Sequence, residues 1–185
     1  GFHGIRQYNG PIYGDGNSYN LPTKELYDAF DATDIRRDAS VLDIDAFIAK
    51  QPNSKDIEYA KGGGGHTGYY NNKYIKRQGE IGLPDNDLTS PVNYRVIRYA
   101  DVLLMAAEAH NRSTTPNGVK ARLYLKLVRD RVNMPEITTS GTQLTEDIWI
   151  ERRFELSGEG HRFFDLVRTE KAANAIPGFV IGKHE

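Results

Sequence analysis

The chain has 185 residues, with 24 basic and 25 acidic side chains, five histidines and no cysteine. A formal net charge of −1 excludes a general nucleic-acid binder, because such a protein needs a basic excess to neutralise phosphates. The absence of cysteine excludes a disulfide framework, a thiolate nucleophile and a cysteine metal site. No apolar run approaches the roughly 18 residues that a membrane-spanning helix needs.

The first half of the chain, up to residue 93, has the composition of loops with a few short elements. Thr23 stands just before a short apolar face and is predicted to be a helix N-cap. Residues 39–44 alternate between apolar and polar side chains, which predicts a short strand. Residues 49–93 are irregular, so we expect this half to be loop-rich.

From Tyr94 onward, apolar residues recur at helical spacing, which predicts three longer helices and a short last one. The first is expected to be buried through Ile97, Ala100, Leu104 and Ala107. Thr115 before Pro116 predicts the N-terminus of the second, whose apolar face is Val119, Leu123, Leu127 and Val128. Thr145 is predicted to cap the third helix. The short connection between the first two makes them an antiparallel pair, like one tetratricopeptide repeat.

Charged side chains in these helices are spaced so that opposite signs meet within one or two turns; Arg98 and Asp101, for example, can pair. We predict a structural network that clamps the helices together. Its predicted members are Arg98, Asp101, Glu108, Arg129, Arg131, Glu151, Arg152, Glu155, Arg162, Asp165 and Arg168.

Two of these acids, Glu151 and Glu155, raise the alternative of a glycoside hydrolase, because two carboxylates one turn apart suit a retaining mechanism. The adjacent Arg152 and Arg153 would keep both acids ionised, whereas acid catalysis needs one protonated carboxyl group. We therefore predict no catalytic residue.

Five motifs of the second half occur together in a characteristic order: RYADVLLM at 98–105, VRDR at 128–131, ERRFEL at 151–156, EGHR at 159–162 and FDLVR at 164–168. Together they resemble the SusD/RagB family of outer-membrane glycan-binding lipoproteins. The resemblance implies one mainly α-helical, SusD-like domain over residues 1–185. It also implies a fragment, with N-terminal helical repeats and the extreme C-terminus lying outside this chain.

The resemblance implies a function as well. Family members are surface-exposed lipoproteins of the outer membrane, without enzymatic activity, that bind oligosaccharides and deliver them to a SusC-like TonB-dependent transporter. The cysteine that would carry the lipid is not in this sequence. A peptide-binding member of the same architecture remains an alternative.

Tyrosines in polar, glycine-rich loops are the candidate glycan contacts, because a flat ring can stack under the apolar face of a sugar. These loops offer a ring little local core, and neighbouring asparagines offer paired donors and acceptors. The predicted glycan-binding residues are Tyr8, Tyr13, Tyr19, Tyr69, Tyr70 and Asn71.

We expect neither a metal nor another cofactor. The glycines at 62–65 lack the Lys-Ser/Thr of a phosphate-binding loop, and no two histidines have helical metal-ligand spacing. Calcium is the one alternative, because turn carboxylates and amides supply oxygen ligands. Its candidate ligands are Asp15, Asn17, Asp85, Asn86 and Asp87.

Overall fold

The computed structural model describes residues 2–62, 66–80, 92–176 and 178. Contacts divide the chain into two compact units, Gly1–Val96 and Ile97–Glu185. The single SusD-like domain over residues 1–185 stays a prediction. Within the described ranges, no helix combines the length and the apolar character that crossing a membrane requires.

The N-terminal unit contains short elements joined by long loops. A two-stranded antiparallel sheet pairs β1 (Val41–Asp43) with β2 (Tyr69–Asn71), and Leu42 lies opposite Tyr70 in its register. A 3-10 turn covers Ser54–Asp56. The helices and strands are α1 (Lys24–Ala29), α2 (Arg36–Ser40), β1 (Val41–Asp43), α3 (Ile44–Ala49) and β2 (Tyr69–Asn71).

Side-chain caps fix the starts of two of these short helices. The predicted cap Thr23 is confirmed, because its hydroxyl accepts a 3.2 Å hydrogen bond from the Leu26 N–H. Asp43 caps α3 in the same way by accepting from the Ala46 N–H at 2.9 Å. The strand predicted at residues 39–44 is shorter than expected, because α2 runs up to Ser40 and α3 starts at Ile44.

The core of the N-terminal unit is rich in tyrosine. Four of the nine residues in its main buried cluster are tyrosines, and the first loops supply Ile5, Tyr8 and Tyr13. Isolated bridges join Ile5 to Asp15 and Tyr13 to Arg77, and so fix these loops in place. Segments that look like surface loops in the sequence therefore form part of the interior. The cluster is Ile5, Tyr8, Tyr13, Leu42, Ile44, Ile57, Tyr59, Tyr70 and Ile75.

The C-terminal unit is helical, and its core lies between three helices. Residues 113–117 join α4 (Tyr99–Arg112) to α5 (Gly118–Asp130), as in the predicted helix-turn-helix pair. These two helices pack against each other and against α6 (Gly141–Glu155). The core residues are Ala100, Leu103, Leu104, Ala107, Ala121, Leu125, Val128, Leu144 and Ile148. The helices are α4 (Tyr99–Arg112), α5 (Gly118–Asp130), α6 (Gly141–Glu155), α7 (Arg162–Arg168) and α8 (Ala172–Ala175).

The buried face of α5 differs from the predicted one. Val119, Leu123 and Leu127 are 72%, 54% and 48% exposed, and only Val128 of the predicted set is buried. The core side is formed with Ala121 and Leu125 instead. Both stripes have helical spacing, so periodicity alone does not say which one faces the neighbouring helices.

Two predicted helix starts and the predicted burial of Ile97 are also wrong. Asn117, not Thr115, caps α5 by accepting a 3.0 Å hydrogen bond from the Lys120 N–H. Thr145 lies inside α6, which begins at Gly141, and its hydroxyl accepts from the Asn111 side chain at 2.8 Å. Ile97 precedes α4 and is exposed. Asparagine and serine caps compete equally with threonine, so the sequence offered several starts within a few residues.

Candidate functional site

A pocket of about 220 Å³ opens in the N-terminal unit. Its walls combine a guanidinium group, an amide, a hydroxyl, an imidazole and an aromatic ring. The residues that supply these groups are Arg6, Asn17, Ser18, His66 and Tyr19, with Leu21 as an apolar neighbour.

Backbone hydrogen bonds bring the first residues of the chain alongside residues 15–19. The N–H of Ser18 donates to the Gly4 carbonyl at 2.9 Å, and the N–H of Tyr19 donates to the Phe2 carbonyl at 2.9 Å. The Arg6 N–H donates to the Ser18 hydroxyl at 3.1 Å. Arg6 and Ser18 therefore share one wall of the pocket.

The chain turns sharply on both sides of Tyr19. Ser18 and Asn20 have φ values of 57° and 56°, in the left-handed region that non-glycine residues seldom occupy. Such strained residues persist only where the surrounding structure holds them, and they cluster at binding sites. The turn leaves the Tyr19 ring 58% exposed, with its centroid 6.0 Å from that of Phe2.

Several polar groups of this pocket are unused. Arg6 donates from Nη2 to the Gly62 carbonyl and makes no ion pair within the part of the chain that the structure describes. In the same part, the Asn17 amide and the His66 ring nitrogens make no hydrogen bond. The His66 ring instead lies 5.5 Å from that of Tyr59 and 6.3 Å from that of Tyr70. These groups keep donors and acceptors available for a ligand.

Asp45 interacts electrostatically with His66, and its carboxylate already has hydrogen-bond partners. Lys61 Nζ and the Tyr59 hydroxyl donate to Asp45 Oδ1 at 3.0 and 2.9 Å. Burial alone would raise the pKa of Asp45, but these two donors more than offset it and hold the pKa below its ordinary value. Burial raises the pKa of Tyr70 as well, which keeps its hydroxyl protonated beside Ser18.

The predicted glycan-contact residues have different positions. Tyr19 lines the pocket and Tyr69 is half-buried against the Tyr27 ring at 5.0 Å. Their contact with a glycan stays a prediction. The other four are buried: Tyr8, Tyr13, Tyr70 and Asn71 are 7%, 6%, 0% and 1% exposed.

The expectation that these loops leave a ring little core to join was wrong for the three buried tyrosines. The loops themselves cover the small sheet. Tyr13 packs edge-on against Phe47 at 5.0 Å, and the Tyr8 hydroxyl donates to the Pro11 carbonyl at 2.9 Å. A buried ring has no free face on which a sugar could stack.

Sequence reasoning missed Arg6, Ser18 and His66 as members of one pocket. His66 lies sixty positions after Arg6, and no local spacing links them. The candidate calcium ligands Asp85, Asn86 and Asp87 lie outside the described residues, and Asp15 accepts a 2.7 Å hydrogen bond from the Gln7 N–H. Calcium binding stays a prediction.

A second cavity, of about 380 Å³, lies in the C-terminal unit beside Met105. Its charged walls are paired with each other: Glu108 accepts 2.7 Å hydrogen bonds from both Arg112 and Arg168. Burial alone would raise the pKa of Glu108, but the arginines lower it to about 2. Since these charges are already used, this cavity is a weaker binding candidate than the Arg6 pocket.

The predicted network residues link the helices of the C-terminal unit. Arg98 donates to Glu155 at 2.9 Å and to Glu159 at 2.7 Å, rather than to the predicted partner Asp101. Glu159 was not predicted as a member. Arg162 begins α7 and is exposed. Further contacts in the network include Arg129–Glu151 at 2.5 Å, Arg131–Glu155 at 2.6 Å, Arg152–Asp101 at 2.7 Å, Arg152–Asp165 at 3.1 Å and Arg168–Asp165 at 2.7 Å.

The same contacts bear on the glycosidase alternative. Glu151 and Glu155 are 1% and 3% exposed and face arginines. Burial alone would raise the pKa of Glu155, but Arg131 and Arg98 hold it below its usual range. Glu155 therefore lacks the proton that an acid catalyst donates.

A sequence model of the SusD family matches residues 13–180. The SusD-like protein P2 of Formosa agariphila is 30% identical over 187 residues, which cover 95% of this chain and 36% of that protein. The chain belongs to the SusD family, as its motifs indicated.

Solved structures give the same result. A laminarin-binding SusD-like protein is 38% identical with a TM-score of 0.78, and the match covers 98% of this chain and 38% of that one. Surface glycan-binding protein A from Bacteroides thetaiotaomicron, solved with laminarihexaose, is 31% identical with a TM-score of 0.76, over 93% and 37%. The predicted mainly helical, SusD-like fold class is confirmed. The chain spans just over a third of the length of these relatives.

Proposed function

We propose that this protein binds oligosaccharides at the cell surface without cleaving them and delivers them to a SusC-like TonB-dependent transporter of the outer membrane. The observation that carries the proposal is the N-terminal pocket. There, polar groups of Arg6, Asn17 and His66 that lack a partner among the described residues lie beside the exposed ring of Tyr19. Family membership supports it, as do two structural relatives whose names record laminarin and laminarihexaose.

The pocket chemistry suits a sugar. Hydroxyl groups need both donors and acceptors, and the amide of Asn17 and the imidazole of His66 supply both. The Tyr19 ring offers a flat apolar face for the C–H side of a sugar ring. No carboxylate lines the described walls of this pocket, whereas glycoside hydrolysis normally uses two. Binding without catalysis is therefore the better account.

Calorimetric titration with laminarihexaose and a panel of other oligosaccharides tests this proposal. We expect binding by the unmodified protein and about a tenfold weaker affinity for Tyr19→Ala, since loss of one aromatic contact costs about 1.4 kcal/mol. Tyr94→Ala is the matched control, because Tyr94 is also exposed but does not line the pocket. Equal effects of the two changes would remove Tyr19 from the site.

Two further measurements separate the alternatives. A peptide panel in the same titration tests the peptide-binding alternative, and peptide binding without glycan binding would replace the proposal. Release of reducing sugar when the protein is incubated with the oligosaccharides would support the glycoside hydrolase alternative. Co-purification of the full-length protein with a TonB-dependent transporter tests delivery. Detection of a lipid anchor on the full-length protein in outer-membrane fractions tests the location.

A further inference from the structure

We infer that the Arg6 pocket prefers saccharides that carry an anionic group, a carboxylate or a sulfate ester, over neutral ones. The inference rests on the proposed glycan binding and names the class of glycan. It starts from the charge on the pocket walls, where Arg6 is the one permanently charged side chain among the described lining residues.

The Arg6 guanidinium group is incompletely used. It donates from Nη2 to the Gly62 carbonyl. The backbone N–H of Arg6 donates separately to the Ser18 hydroxyl. No carboxylate pairs with it among the residues that the structure describes. In contrast, each arginine of the C-terminal cavity, Arg112, Arg152 and Arg168, is paired with a carboxylate. Arg6 therefore has N–H donors that still lack an anion.

Nearby acids do not compete for that position. Asp15 accepts a 2.7 Å hydrogen bond from the Gln7 N–H. Asp45 interacts electrostatically with His66. It forms an ion pair with Lys61 and accepts a hydrogen bond from the Tyr59 hydroxyl. Within the described ranges, neither acid forms an ion pair with Arg6.

A planar carboxylate or a sulfate ester matches this fork of donors. Hydrogen bonds between ionised partners are roughly twice as strong as neutral ones, and arginine forms them in pairs. Asn17 and Ser18 add neutral donors on the same pocket. Arg6 is exposed, so water and salt weaken the attraction. We therefore expect a preference of about tenfold for the anionic ligand, not a requirement for it.

The test compares one sugar backbone in three forms by calorimetry: laminarihexaose, its derivative with primary hydroxyls oxidised to carboxylates, and its sulfated derivative. We expect at least one anionic form to bind about tenfold more tightly, and the preference to shrink at about 1 M salt, where the Debye length is about 3 Å. Which form binds better distinguishes the carboxylate from the sulfate.

Three variants locate the effect. Arg6→Gln should bind neutral and anionic forms alike, and Arg6→Lys should recover part of the preference. Arg95→Gln removes the same charge from an exposed arginine elsewhere in the unit and should leave the preference unchanged. Preference that survives in Arg6→Gln, or disappears equally in Arg95→Gln, would overturn the assignment.

The outcomes separate the two proposals. Equal binding of all three forms by the unmodified protein overturns the anionic preference and leaves glycan binding intact. If none of the three forms binds, and no oligosaccharide of the wider panel binds, both proposals are overturned.

Discussion

Arg152 of α6 donates a 2.7 Å hydrogen bond from Nη1 to Asp101 of α4, and the two residues are only 6% and 4% exposed. Its Nε also donates to Asp165 of α7 at 3.1 Å. One guanidinium group therefore ties three helices together. Ions are tolerated in such a place only when they are paired, and removal of Asp101 would leave Arg152 paired with the carboxylate of Asp165.

Asp101→Asn should lower the free energy of unfolding of the C-terminal unit by about 1.5–3 kcal/mol. The substitution keeps the shape of the side chain but removes the nearer of the two carboxylate charges that pair with Arg152. Urea denaturation followed by circular dichroism measures the change.

Asp130→Asn is the control for that experiment. Asp130 also pairs with a cation, Lys126, but both side chains are exposed, at 52% and 39%. The same chemical change should therefore cost less than about 1 kcal/mol. Similar losses at Asp101 and Asp130 would show that burial does not set the strength of these pairs.

Glu108 should make stability depend on pH in the acid range. Its pKa falls from an ordinary 4.5 to about 2 in the folded protein. A depressed pKa contributes stability that is complete above about pH 4.5 and is lost as the pH falls towards 2. The expected contribution is on the order of 2–3 kcal/mol.

Unfolding of the unmodified protein and of Glu108→Gln at pH 7 and near pH 2.5 measures this contribution. The difference in unfolding free energy between the two proteins should shrink at the lower pH, because protonated Glu108 resembles glutamine. A difference that stays constant would assign the acid sensitivity to other carboxylates, among them Glu155.

The helices and the charged residues that link them could be predicted because their signals are local. The partners of those charges could not, since Arg98 pairs with Glu155 and Glu159, 57 and 61 positions away, and not with Asp101. Helical spacing, the cap at Thr23 and the charged motifs each depend on residues within a few turns. The Arg6 pocket could not be predicted in this way, because Arg6 and His66 meet only through the packing of distant loops. Tyrosines show the same limit, since the loop around buried Tyr13 resembles the loop around exposed Tyr19.

The two faces of α5 provide a test of the buried side of that helix. Leu125 is 1% exposed, and Leu123, two positions earlier, is 54% exposed. Leu125→Ala should lower the free energy of unfolding by about 2–5 kcal/mol, because it removes transfer energy and leaves a cavity.

Leu123→Ala is the control on the same helix, with an expected change within about 0.5 kcal/mol. Urea titrations of both variants suffice. A larger loss at Leu123 than at Leu125 would restore the face predicted from periodicity and contradict the observed packing.

Tyr70 and Tyr19 should separate folding from binding. Tyr70 is 0% exposed and pairs with Leu42 across the sheet. Its hydroxyl oxygen lies 3.4 Å from the hydroxyl oxygen of Ser18. Tyr70→Ala should therefore lower the unfolding free energy of the N-terminal unit by about 3–5 kcal/mol, as for other large buried rings. Tyr19→Ala should change it by less than about 1 kcal/mol.

Glycan titrations of folded protein should compare Tyr19→Ala with Tyr70→Phe. Tyr19→Ala removes an exposed ring at the pocket, so it should weaken affinity while the unfolding curve stays in place. Tyr70→Phe keeps the buried ring and loses only the hydroxyl, so it should retain most of the stability and bind nearly as well as the unmodified protein. Strong loss of affinity in a stable Tyr70→Phe variant would show that the hydroxyl network behind Ser18 takes part in ligand binding.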